Sequence, residues 1–219
     1  MTDTAAIPAQ SPSPREVRRA ANSEAMIAAA LRLVEEKGDD FTTQDLIKEA
    51  GVALQTFYRH FGGKDQLLVA VIEAMIAGYC TTLEARGRLL DDPVARLHLY
   101  ITTTLQQLDT GNPRFITSQH WRLYQIDPKA MTAATKPFSD LVQRELEAAS
   151  ADGTLTPRDP EHDAWMITKM VLAVFHHYAF DEAESDIETI AEGVWEFCLA
   201  AVGGQSRPSR RRVSKRRRP

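Results

Sequence analysis

The chain has 219 residues, 43% hydrophobic and 26% charged, which suits one large or two small globular domains with a sizeable core. No uninterrupted apolar run approaches the ~20 residues of a membrane helix, residues 1–14 lack the basic start and apolar stretch of a secretory signal, and Cys80 and Cys198 cannot make a disulfide framework, so a cytoplasmic protein with no membrane association is expected. The net charge of −4 hides a split: residues 207–218 carry eight Lys/Arg and no acid, residues 15–64 balance eight against eight, and residues 65–203 hold ten basic against 21 acidic. An acidic body repels nucleic acid, so any DNA contact falls to the N-terminal segment or the tail.

Residues 1–14 are rich in Pro, Ser, Thr and Ala, with little to bury, and read as disordered. Helical periodicity starts at Arg15. Met26, Ile27, Ala30, Leu31 and Val34 recur at three- and four-residue spacing, and Lys37-Gly38 closes that helix. A short helix over 43–50 follows, with Thr42 or Thr43 placed to cap it. Gly51-Val52 turns the chain into a second short helix over 53–61, and Gly62-Gly63 breaks it. Lys64 opens a long helix through Leu67, Leu68, Val71, Ile72, Met75, Ile76, Tyr79 and Leu83. Further helices are expected near 93–108, 113–125, 129–150, 159–180 and 186–202, separated by Asp-Pro, Gly-Asn-Pro and Gly-containing breaks. No segment alternates apolar and polar residues as a strand would, so the fold class is all-α with about nine helices.

The most informative segment is 41–68, FTTQDLIKEAGVALQTFYRHFGGKDQLL. Two short helices joined by a glycine-containing turn make a helix-turn-helix, and Gly51 suits a turn position needing positive φ. Leu46, Ile47, Ala50, Val52, Leu54, Phe57 and Phe61 supply apolar residues to pack this small unit against the first helix. Gln55, Thr56, Arg59 and part of Ala53 are left to face outward, while Leu54 suits either packing or a base contact. Such a second helix fits the major groove of DNA with its N-terminal residues at the base edges.

The motif extends beyond a generic helix-turn-helix. Thr42-Thr43, Leu46, Ala50-Gly51-Val52, Thr56-Phe57-Tyr58, His60-Phe61, Lys64 and Leu67-Leu68 reproduce a spacing that resembles the TetR family of bacterial transcriptional regulators, over about 50 of the 219 residues. Two positions depart from the family pattern: Ala53 stands where Ser is usual and Gln55 where a small residue is usual. The resemblance implies a DNA-binding domain over 15–64, an effector-binding and dimerisation domain over 65–203, and a basic disordered tail over 204–219. It implies a DNA-binding set of Thr42, Thr43, Ala53, Leu54, Gln55, Thr56, Tyr58, His60 and Lys64. The residue chemistry is compatible: Thr43 lies at a helix N-terminus suited to phosphate, Tyr58, His60 and Lys64 can donate to phosphate oxygens, and Gln55 can pair with adenine while the Thr56 methyl meets thymine. Arg15, Arg18 and Arg19 could add phosphate or minor-groove contacts.

The resemblance further implies a repressor that acts as a homodimer through its last two helices, on a near-palindromic operator in double-stranded DNA, and that is released by a small-molecule effector. Residues 164–180 are apolar nearly all round, as expected of a helix buried on several faces. Candidate effector-lining residues combine apolar bulk with a polar handle: Tyr79, His98, Phe115, Gln119, Trp121, Tyr124, Trp165, Met170 and Phe175. Few of them are basic, which favours an apolar or lipid-like effector. An acyl-CoA would need cations such as Arg96, Arg114, Arg122 or Lys169 at the pocket mouth. The competing reading is an all-helical metal-binding enzyme built on His120, His176-His177 or Glu161-His162-Asp163. No HExxH, GxSxG or phosphate-loop pattern supports it, and a buried histidine bonded to a neighbour explains each cluster more simply. No enzymatic activity, metal or cofactor is therefore expected. A DNA-binding regulator without an effector is the other alternative.

Overall fold

The computed structural model describes residues 13–38, 40–109, 113–181 and 186–205. The basic stretch 207–218 and the segment 1–12 lie outside the described residues. Among those described there are nine α-helices, one 3-10 turn (Gln107–Asp109) and no strand. The helices are α1 (Pro14–Lys37), α2 (Thr43–Ala50), α3 (Leu54–His60), α4 (Lys64–Gly87), α5 (Pro93–Gln106), α6 (Pro113–Ile126), α7 (Pro128–Ala151), α8 (Pro160–Tyr178) and α9 (Ile187–Ala201). The all-α expectation holds, with boundaries within a few residues.

Several starts follow one chemistry. Asp92, Asp127 and Asp159 each accept a backbone N–H at the N-cap, and Pro93, Pro128 and Pro160 follow at the first helical position, where proline's missing N–H costs nothing. The same logic moves the first helix earlier than composition suggested. Ser13 caps Pro14, and Glu16 completes a capping box by accepting the Ser13 N–H at 2.8 Å and its hydroxyl at 2.7 Å. Ser13 and Pro14 are thus the ordered start of α1 rather than the end of a disordered segment.

The chain divides into two compact units, Met1–Ala74 and Met75–Pro219. In the first, α1 packs on α2 and α2 on α3. Met26, Ala29, Ala30, Leu33 and Val34 of α1 are buried, as are Phe41, Leu46, Phe57 and Phe61. The start of α4 contributes Leu67, Leu68, Val71 and Ile72, so this unit runs ten residues past the boundary expected at Lys64. Arg32 donates to Glu49 at 2.8 Å and Lys37 to Asp45 at 3.3 Å, tying α1 to α2 at the surface.

In the second unit α5 packs on α7, α8 and α9, and α7 on α6 and α8. Its core includes Leu83, Leu97, Tyr100, Ile101, Leu105, Val142, Leu146, Ile167, Val171, Phe175, Trp195 and Leu199. Near the end of α4, a Cβ on Gly87 would collide with the Tyr100 hydroxyl. That hydroxyl donates to Glu145 Oε1 at 3.4 Å, and Arg96 Nε donates to Glu145 Oε2 at 2.7 Å.

By length and composition alone α4 is apolar enough to cross a membrane, contrary to the expectation that no segment approaches that limit. About a third of that apolar stretch is buried. Leu67, Leu68, Val71 and Ile72 are buried in the first unit, and Cys80 and Leu83 enter the core of the second.

Candidate nucleic-acid interface

The α2–α3 corner is set by its caps. Thr42 is the N-cap of α2: its hydroxyl oxygen accepts the Asp45 N–H at 3.1 Å, while its own N–H and hydroxyl each donate to Asp45 Oδ2 at 2.8 Å. These bonds, led by that from the Thr42 backbone and aided by Lys37, hold the Asp45 carboxyl down at about 2. Thr42 is thereby assigned the capping role that the sequence left open between Thr42 and Thr43, and Thr43 is the first helical residue, half-buried. At the other end Gly51 takes φ 64° and ψ 32°, the left-handed conformation, and the Val52 N–H returns to the Ile47 carbonyl at 3.1 Å. The chain can therefore turn directly into α3.

Ala53 is the N-cap of α3, with extended backbone and no side-chain cap. From there the helix sorts its residues by face. Phe57 is buried, with its ring 6.1 Å from Phe61 and edge-on to Tyr58 at 5.1 Å. Ala53, Gln55 and Arg59 are exposed, Tyr58 is 57% exposed, and Thr56 and His60 are half-buried. Leu54 is 39% exposed, so the alternative left open for it resolves to the outer face. His60 has its pKa lowered, first by burial and then by the nearby charges of Arg19 and Arg59.

Lys64 is placed differently from a side chain simply reaching outward. Its ammonium donates to the Phe41 carbonyl at 2.8 Å and lies 4.4 Å from the centre of the Phe41 ring. It joins the first residue of α4 to the residue immediately before the α2 N-cap.

The nine effector candidates are spread over α4, α5, α6 and α8. Phe115 and Gln119 of α6 and Phe175 of α8 are buried, and Trp121 and Tyr124 of α6 are 57% and 39% exposed. Between these two helices His120 Nδ1 and His176 Nε2 share a hydrogen bond at 2.9 Å, with Trp121 5.7 Å from the His176 ring and Tyr124 6.0 Å from that of His120. Burial pushes the His176 pKa down to about 4 and lowers that of His120. Sequence reading weighed both histidines as metal ligands and, more simply, as buried histidines bonded to a neighbour, and omitted them from the effector set; the bond between them agrees with the simpler reading. Their pairing across 56 residues leaves no local signal.

The other candidates have separate partners. Tyr79 donates to Thr104 Oγ1 at 3.2 Å, and burial pushes its phenol up to about 12. His98 is 2.8 Å from Glu192 and meets Trp195 edge-on. Trp165 is 46% exposed and stacks on His162. Met170 lines a cavity of about 90 Å³ between α8 and α9 with Met166, Ile167, Phe197, Cys198 and Val202. A cavity of about 330 Å³ is lined instead by charged side chains, Glu84, Arg88, Arg96, Arg144 and Glu145 among them. Arg96 is committed there to Glu145 and to the carbonyls of Leu90 and Asp91.

Residues 26–71 match the family model described as bacterial regulatory proteins, tetR family. The chain is 40% identical over 52 residues to the uncharacterised HTH-type transcriptional regulator YvaF of Bacillus subtilis, a stretch covering 24% of this chain and 27% of that protein. Among solved structures, RolR in complex with resorcinol aligns with a TM-score of 0.69 at 20% identity, covering 87% of this chain and 92% of that one. Thermus thermophilus FadR, a TetR-family transcriptional repressor in complex with lauroyl-CoA, aligns with a TM-score of 0.66 at 19% identity, covering 85% and 98%. The sequence match thus falls on the helix-turn-helix and spans about a quarter of the curated relative's length, while the likeness in fold extends over most of the chain. The α2–α3 corner, with the adjoining parts of α1 and α4, lies within the stretch that matches the tetR-family model, and the all-helical body is similar in fold to those solved structures.

Proposed function

We propose that this chain is a ligand-responsive repressor that binds a near-palindromic DNA operator as a homodimer. The observation that carries the reading is the sorted surface of α3: Phe57 anchors the helix while Leu54, Gln55, Tyr58 and Arg59 face solvent. Gln55 is the base reader, through its amide. Thr56 and Ala53 add apolar contacts at the groove floor, and Thr43, Tyr58, His60 and Lys64 serve the phosphates. The Lys64 ammonium carries three N–H donors, so its bond to Phe41 is compatible with a phosphate contact.

Two features of the second unit support dimerisation and ligand response. Trp165 and Met166 of α8 and Phe197 of α9 are 46%, 51% and 61% exposed. A second copy of the same helix pair would cover them in a four-helix interface. The aromatic and imidazole groups between α6 and α8 offer a mostly apolar setting with two polar nitrogens, suited to an aromatic or lipid-like effector. RolR is bound to resorcinol, an aromatic diol, and T. thermophilus FadR to lauroyl-CoA, an acyl chain on a phosphorylated carrier. Such a ligand weakens DNA binding to the extent that it prefers a conformation in which α4 shifts and the two recognition helices leave operator spacing.

Selection of genomic fragments by the purified full chain, repeated with any compound that co-purifies, tests the proposal. A site with two half-sites about 34–36 Å apart, or a multiple of that, is expected, and the effector should release it. Recovery of unrelated fragments with no common sequence contradicts the reader. A single half-site bound by a monomer contradicts the dimer.

A further inference from the structure

Three sulfur side chains border one cavity between α8 and α9. The Cys198 thiol of α9 donates to Met170 Sδ of α8 at 3.9 Å. Both residues line the apolar cavity of about 90 Å³, and Met166, one turn earlier on α8, lines it too. Cys198 is 2% exposed and Met170 is half-buried. Ile167, Ala201 and Val202 add hydrocarbon to the wall. Asp163 also lines the cavity, but its carboxylate already accepts the Arg158 backbone N–H at 2.9 Å. The histidine and acidic clusters weighed in the sequence gave no metal site, and Met170 and Cys198, 28 residues apart, form no spacing motif.

Water suits this cavity poorly, because an ordered water needs several polar partners and thiol and thioether sulfurs are weak ones. A soft metal ion suits the same atoms. With the sulfurs of Cys198 and Met170 3.9 Å apart, metal–sulfur bonds of ~2.3 Å from each would meet at about 116°, between tetrahedral and trigonal. Met166 supplies a third donor: it lies at i−4 from Met170 on the same face of α8, and a methionine side chain turns about three bonds. Thiolate and thioether ligands select Cu(I). Structural zinc calls for four donors, drawn from thiolate, imidazole and carboxylate, and no histidine stands among the described residues that line the cavity. One thiolate neutralises a monovalent ion, whereas a divalent ion would leave net charge against hydrocarbon.

We propose that Cys198, Met170 and Met166 form a binding site for one soft monovalent cation of the Cu(I) or Ag(I) class. Burial pushes the Cys198 thiol up to about 11, so it stays protonated and unreactive at neutral pH. On binding, the S–H bond breaks, a sulfur lone pair forms the sulfur–metal bond and the proton leaves to solvent, with no electron transferred. The ion then ties α8 to α9, the helix pair whose exposed Met166 and Phe197 are proposed above to meet a second copy. The site does not depend on the DNA-binding reading.

The test titrates the reduced full chain anaerobically with Cu(I) against a chromophoric Cu(I) chelator, which reports stoichiometry and affinity together. Wild type and Cys80→Ala should each withdraw a single Cu(I) per chain, and Cys198→Ala none. Met170→Leu and Met166→Leu keep the apolar bulk and should each weaken uptake by about 10-fold or more, the loss usual even for an outer partner of a metal ligand. Met26→Leu, buried in the first unit, should leave it unchanged. X-ray absorption of the loaded protein should show sulfur neighbours only, at ~2.3 Å. Thermal melts check that each metal-free variant is folded, and the methionine variants carry the test if Cys198→Ala is not. Because thiols of an unfolded chain also bind metal, the titration is repeated in urea, where uptake should weaken. Uptake that follows Cys80, survives both methionine changes or persists undiminished in urea overturns the site, as do nitrogen or oxygen neighbours in the absorption spectrum. A wild-type chain that takes up no Cu(I) overturns it outright and leaves the DNA-binding reading standing.

Discussion

Replacing Lys64 with alanine separates two roles for one ammonium group. In the structure it donates to the Phe41 carbonyl at 2.8 Å and lies over the Phe41 ring at 4.4 Å. A hydrogen bond from a charged donor contributes ~1.5–3 kcal/mol to stability, and a partly exposed cation–π contact ~0.5–1 kcal/mol. The two share one group and do not simply add, so a loss of about 2 kcal/mol is expected in the absence of DNA. Urea denaturation of the free protein followed by circular dichroism measures it. Lys64→Met, which keeps the apolar stem over Phe41, should lose the part due to the hydrogen bond. Because Phe41 immediately precedes the Thr42 cap, slackening there should also weaken operator binding at every sequence. An Lys64→Ala protein as stable as wild type, with a salt slope lower by about one, would refute the tie and leave Lys64 a phosphate contact alone.

Three other outcomes follow from the same corner and from the histidine pair. Ala53→Ser supplies the missing N-cap of α3 on a backbone already extended at φ −76° and ψ 149°, and should stabilise the free protein by about 1 kcal/mol; an unchanged urea midpoint argues against that geometry. Gln55→Ala should relax preference at one operator position by ~1–3 kcal/mol, measured by competition among single-base operator variants, and an unaltered preference removes Gln55 from the reader. His120 and His176 both have lowered pKa values in the folded chain, His176 reaching about 4, against ~6.5 when unfolded. The unfolded chain therefore takes up protons first, and stability should fall as pH drops from ~6.5 towards 4 while staying insensitive to this pair above that window. Denaturation midpoints at pH 7.5 and 4.5 should fall further for the wild type than for His176→Gln; equal falls would show that the pair is not responsible.

The sequence revealed most where chemistry is local. Asp-Pro pairs at 92–93, 127–128 and 159–160 mark three helix starts because the cap and the proline act within one turn. The Ser13-Pro14-Arg15-Glu16 start carries the same kind of signal, yet composition favoured disorder there; the capping box decides in favour of helix. The buried and outer faces of α3 could be separated by spacing, except at Leu54, whose exposure depends on how far α3 rotates on its neighbours. The surroundings of the effector candidates were the least legible. Tyr79 meets Thr104 across 25 residues, His120 meets His176 across 56, and His98 meets Glu192 across 94. Along α8 from Ala164 to Phe175, where apolar residues fall on nearly every side, periodicity cannot say which side meets α6 and which meets α9.

Position 87 shows how little material can govern a polar network. The Tyr100 phenol occupies the space that a methyl group on that residue would need, and through Glu145 the phenol is joined to Arg96, whose Nη1 holds the carbonyls of Leu90 and Asp91. A single added carbon would thus be felt along α5, α7 and the α4–α5 connection at once. Variants made anywhere in this unit should therefore keep hydrogen as the side chain there.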